Sequence, residues 1–81
     1  MRRNEIVAAG ARYEIPSYTR IDLVAVRAEG SYVFDIDGAR YLDLYGGHAV
    51  AILGHSPARV ADAVAMQARD LLFYSNIVHL P

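Results

Sequence analysis

Three short β-rich runs, separated by two glycine turns, constrain this chain more than any other feature. They read LVAVR from Leu23, SYVFDI from Ser31 and ARYLDLY from Ala39, with turns at Ala28-Glu29-Gly30 and Asp37-Gly38. Short alternating runs joined by glycine turns form antiparallel neighbours, so residues 23–45 are predicted to be a three-stranded meander. Side chains alternate across a strand. Tyr32, Phe34 and Ile36 therefore share one face, with Val33 and Asp35 on the other. In the third run Leu42 and Leu44 oppose Tyr41, Asp43 and Tyr45. One face of the sheet is apolar and must be covered.

The rest of the chain is arranged around that meander. Residues 1–22 show no clean periodicity, with Gly10 and Pro16 as interruptions, and are expected to form an irregular arm. Residues 46–56 form a loop in which glycines frame the apolar segment HAVAIL, as if the backbone passed close to another group. Ser56-Pro57 offers a hydroxyl N-cap followed by proline at the first helical position. Val60, Val64, Ala68 and Leu71 then recur at helical spacing, which predicts an amphipathic helix over 57–73. The tail, 74–81, is apolar and aromatic. The fold class is α+β: an irregular arm, a β-meander and one amphipathic helix.

At 81 residues, a self-sufficient fold would bury only about 60% of its unfolded surface. There is no cysteine to supply a disulfide or a thiolate–zinc site, so support must come from a partner surface or from more chain. The apolar tail points the same way: Phe73, Tyr74, Ile77, Val78 and Leu80 suit an interface or a cut better than a frayed end. Formal charge is −1, and the cations are scattered apart from Arg2-Arg3, which gives no field for nucleic acid or an anionic membrane. No apolar run approaches the roughly 20 residues a bilayer requires. The expectation is a soluble, cytoplasmic protein.

All eight cationic side chains are arginine. Chemistry that needs an ε-amino nucleophile or a P-loop lysine is thus excluded for these residues. Asp35-Ile-Asp37-Gly38 superficially suggests a calcium loop, but that register would put Val33 and Leu44 at the first and twelfth ligand positions, so a plain β-turn is expected. His48, His55 and His79 have no i, i+4 pairing and no cysteine near them, which argues against a metal site. Alone, His48 reads as a structural histidine in a glycine-framed segment, and His55 as an organiser of its loop through backbone hydrogen bonds. The serines stand in no nucleophile elbow.

Order and spacing say more. Tyr18 is followed at fixed distances by Gly30-Ser31-Tyr32-Val33-Phe34-Asp35-Ile36-Asp37-Gly38, then Tyr41-Leu42-Asp43, Gly46-Gly47-His48, Leu53-Gly54-His55, a helix containing Gln67, and Ser75-Asn76. From Tyr18 to Pro81 this succession resembles the N-terminal part of class III pyridoxal-phosphate aminotransferases, nearest the acetylornithine aminotransferase group. One departure is that the family's G-H-x-H-P stretch stands here as Gly54-His55-Ser56-Pro57-Ala58, with proline one place earlier.

The resemblance implies a fold-type I enzyme, working as a homodimer on amino acids and 2-oxo acids with pyridoxal phosphate, in arginine or lysine biosynthesis. It implies two substrate-facing residues. Tyr18 matches a tyrosine that binds the carboxylate or amino end of the substrate, and His48 a variable wall position that influences which ω-amino donor is accepted. Packing alone is the competing role for Tyr18. The family's cofactor lysine, phosphate-binding turn, pyridine-pairing aspartate and substrate-gripping arginine all lie later in its chains, so these residues are expected to be inactive alone. The alternative is a non-enzymatic remnant or an interaction module that docks on a full-length paralogue.

Overall fold

The expected meander is present. In the computed structural model, which describes residues 1–81, strands β1 (Ala25–Glu29), β2 (Tyr32–Asp35) and β3 (Arg40–Leu42) form one antiparallel sheet in the order β1-β2-β3. Register pairs Arg27 with Phe34 and Phe34 with Arg40, and puts Tyr32 opposite Leu42. A bulge between Ala25 and Arg27 shifts the first pairing. The Asp35–Gly38 segment closes as a β-turn, the Gly38 N–H donating to the Asp35 carbonyl at 3.1 Å.

The apolar sheet face is covered in an unexpected way. Two guanidinium groups lie over it, Arg27 at 3.7 Å from the Phe34 ring centre and Arg40 at 4.6 Å from that of Tyr32. Arginine suits this role because its planar cation is weakly hydrated and stacks on aromatic faces.

The N-terminal arm is not irregular throughout. Helix α1 spans Arg3–Tyr13, and only the stretch from Glu14 to Val24 is extended or bent. Four alanines and good helix formers outweigh the cost of Gly10, about 1 kcal/mol relative to alanine. The Glu5 carboxylate reaches back to accept the Arg2 N–H at 2.9 Å, which caps the first turn. Arg3 ties this helix to the β2–β3 turn through an ion pair with Asp37 at 3.6 Å.

Helix α3 runs Ala58–Asp70, shorter at both ends than the expected 57–73. Ser56 does not cap it. Its φ of +52° turns the side chain back toward the hairpin, where its hydroxyl donates to the Ala28 carbonyl at 2.8 Å. Pro57 is the N-cap, its carbonyl accepting from Val60 and Ala61 at 3.1 and 3.0 Å. At the far end the Gln67 amide donates to the Leu71 carbonyl at 2.9 Å.

No residue is buried. The chain exposes 7607 Å², where a compact monomer of its mass would expose about 4,800 Å². Its radius of gyration is 16.8 Å against about 12 Å for a compact domain of this length. Only the sheet strands pack on one another; neither long helix lies on the sheet. No helix is long and apolar enough to cross a membrane.

Candidate functional site

The most tightly organised part of the molecule follows β3. Asp43 is held to the β1–β2 hairpin by its N–H, which donates to the Ser31 carbonyl at 2.8 Å. Its Oδ1 accepts the N–H groups of Tyr45 and Gly46, each at 2.9 Å. Its Oδ2 meets His55 Nε2 at 2.5 Å. These bonds hold the Asp43 carboxyl at about 2, the Gly46 N–H being the largest cause, followed by the His55 contact.

His55 is fixed independently. Its N–H donates to the Gly30 carbonyl at 2.7 Å and its carbonyl accepts the Gly30 N–H at 3.1 Å. It thus orders its loop through backbone bonds, as expected, and through its ring as well. Gly54 lies so close to the hairpin that a Cβ there would sit 3.3 Å from the Gly30 carbonyl oxygen.

Between these anchors lies α2 (Gly46–Ala49), a single turn in which all four residues have positive φ, from 59° to 65°. Gly47 and His48, at ψ 57° and 40°, have left-handed helical geometry. The segment is not a loop passing another group but a left-handed turn, closed by the Ala49 N–H on the Tyr45 carbonyl and the Val50 N–H on that of Gly46, both at 3.0 Å. Gly46 and Gly47 accept this geometry freely, whereas His48 and Ala49 are forced into it. The His48 ring packs edge-on against Tyr45, centres 4.9 Å apart.

Tyr18 stands elsewhere. It is 82% exposed, at the mouth of a groove of about 330 Å³ between α1 and the extended stretch after it, beside Ile6, Val7 and Leu23. An Arg20–Glu14 ion pair closes the lip of this groove. No hydrogen bond or ring contact joins Tyr18 to His48. The pair Asp43 and His55 was missed by sequence reasoning as a side-chain contact. The available signal was Asp43 two and three residues before the N–H groups it caps, with Leu53-Gly54-His55 at fixed distance.

A family model described as "Aminotransferase class-III" matches residues 13–80. The chain belongs to the class III aminotransferases. Among its relatives, the acetylornithine aminotransferase of Rhodobacter capsulatus is 43% identical over 67 residues, 83% of this chain and 17% of that protein. The acetylornithine aminotransferase of Methanothermobacter thermautotrophicus is 35% identical over 79 residues, 98% of this chain and 20% of that protein. The chain thus spans between a sixth and a fifth of the length of these relatives. In three dimensions it superposes on the crystal structure of acetylornithine aminotransferase from Elizabethkingia anophelis with a TM-score of 0.94, over 100% of this chain and 21% of that one, at 22% identity. That likeness establishes a shared fold.

The class III segment does not itself fit pyridoxal phosphate. It has no lysine to hold the cofactor. Its two best-ordered carboxylates are committed internally, Asp43 as above and Asp35 to the N–H groups of Asp37 and Ala39 and the Tyr41 phenol. Neither has an oxygen free to pair with a pyridine nitrogen.

Proposed function

We propose that these residues serve as the N-terminal part of a pyridoxal-phosphate-dependent aminotransferase that moves an amino group from acetylornithine, or a related ω-amino acid, to 2-oxoglutarate. The observation that carries this reading is the match over residues 13–80 to class III, with acetylornithine aminotransferases from a bacterium and an archaeon among the relatives. The coreless shape supports it, because a chain with no buried residue needs a larger framework to lie against. On this reading the enzyme is a cytoplasmic homodimer of amino-acid biosynthesis, and this segment alone is inactive. Tyr18 donates its phenol to a substrate carboxylate, and His48 forms part of the donor pocket wall.

A chimera tests the reading. Residues 13–80 replace the matched segment of the Rhodobacter capsulatus enzyme, and transfer from N-acetylornithine to 2-oxoglutarate is assayed. Turnover is the expected result. A soluble, cofactor-loaded chimera without transfer overturns the reading, and turnover by the isolated chain overturns its inactivity. A second reading, a module docking on a full-length paralogue, draws on the same exposed apolar surface; specific binding of the isolated chain to an intact class III dimer, with no turnover by the chimera, would favour it.

A further inference from the structure

Of the five ion pairs in the molecule, Asp43–His55 alone has both side chains mostly covered, 22% exposed for His55 and 14% for Asp43; the next most covered pair is 46% and 61% exposed. An exposed pair contributes little order, but a covered one with every oxygen engaged fixes its neighbours. Here the neighbours are the two ends of one loop. Asp43 and His55 are each bonded through the backbone to the same hairpin, at Ser31 and Gly30, and Ser56 adds a third bond at Ala28. The carboxylate between them grips the Tyr45 and Gly46 N–H groups, the first residues of the left-handed turn. Past Gly46, the turn has only its own backbone bonds and the Tyr45–His48 ring contact. Left-handed geometry at His48 and Ala49 is disfavoured for side-chain-bearing residues, so it persists only where surrounding structure imposes it.

We propose that Asp43 and His55 form a positioning clamp that imposes the left-handed turn and thereby fixes where His48 presents its imidazole to the amino donor. This rests on the aminotransferase reading above. Neither residue is assigned contact with substrate; both act through His48.

The test uses the chimera, with amide exchange and steady-state kinetics measured side by side. His55→Leu keeps bulk but removes the hydrogen bond, and His55→Asn restores a donor toward Asp43. Exchange of the His48 and Ala49 amides should quicken at least about tenfold in His55→Leu and return toward the parent rate in His55→Asn. Unchanged protection in His55→Leu overturns the clamp whether or not the chimera turns over. In an active chimera, His55→Leu should raise the KM of the preferred donor about tenfold with kcat within about twofold, and His48→Ala should add little on top. Equal loss for every donor, or full additivity with His48→Ala, overturns the route through His48. An inactive but folded parent chimera with the expected exchange pattern counts against the aminotransferase reading and leaves the clamp standing.

Discussion

Tyr41 donates its phenol to Oδ2 of Asp35 at 2.9 Å across the turn that joins β2 to β3. Oδ1 of the same carboxylate accepts the N–H groups of Asp37 and Ala39 at 3.0 and 2.8 Å. The Ala39 N–H is the main reason the Asp35 carboxyl lies below its usual range, and the Asp35 bond is the main reason the Tyr41 phenol lies above its own. The signs differ. Asp35 supports the turn above the ordinary carboxyl value of about 3.9 and loses that role as pH falls through its folded value. Tyr41 supports it in the neutral form, up to the ordinary phenol value of about 10, and loses it as pH rises through its folded value. Asp35→Asn should return Tyr41 toward ordinary titration, read by ultraviolet absorbance against a Tyr41→Phe control. An unmoved Tyr41 midpoint would show the bond to be absent in solution.

Two glycine substitutions should separate strain from collision. Gly47→Ala meets open space, so only the left-handed backbone at φ +61° opposes it, at about 1–2 kcal/mol. Gly54→Ala carries the same kind of strain at φ +80° and also drives a Cβ to 3.3 Å from the Gly30 carbonyl, which its two bonds to His55 hold in place. The expected order of urea midpoints in the chimera is parent, Gly47→Ala, then Gly54→Ala. Ala49→Gly should move the other way, raising stability by up to about 1 kcal/mol as its φ of +59° ceases to be strained. Equal midpoints for the two alanine variants would remove the close approach of Gly54 to the hairpin.

The arginine stack makes a third test. Arg27 lies over Phe34 and also reaches Glu29 at 3.2 Å, but that ion pair is more than half exposed on both sides and contributes little. Arg27→Lys should therefore cost about 0.5–1 kcal/mol through lost stacking, while Glu29→Gln is near neutral. A double-mutant cycle with Phe34→Leu measures the coupling. Zero coupling with Phe34, or strong coupling with Glu29, would reverse this assignment.

The meander was legible because alternation and two glycine turns act over a few residues, and both were satisfied within 25–42. Helix α1 was not, because Gly10 and Pro16 were weighed as breakers while the alanines around Gly10 went unweighted. Gly10 in fact sits inside the helix with room for a Cβ, 3.6 Å from the nearest Glu14 atom. The left-handed turn was only half visible: Gly46-Gly47 signalled unusual backbone, but nothing in His48-Ala49 announces a positive φ. The Asp43–His55 contact spans twelve residues and depends on the hairpin that brings its ends together, so it follows from tertiary structure rather than local pattern. Tyr18 and His48 came from the same resemblance, yet the structure puts them on different elements with no contact between them.

Asp43 yields the last prediction. Its carboxyl is held at about 2, so its bonds to the turn are fully formed above the ordinary carboxyl value of about 3.9 and are lost as pH falls from there through about 2. Because the Gly46 N–H contributes more than His55, His55→Leu should raise the Asp43 midpoint only part of the way, and a carboxyl-carbon NMR titration would show it still below the ordinary range. Full recovery would mean that the imidazole, not the backbone, holds the carboxylate ionised, and no change would mean that the 2.5 Å contact is not made in solution. Either result bears on the turn as well, because the oxygen that meets His55 and the oxygen that caps Tyr45 and Gly46 belong to one rigid carboxylate, and turning one away swings the other off the N–H groups it caps.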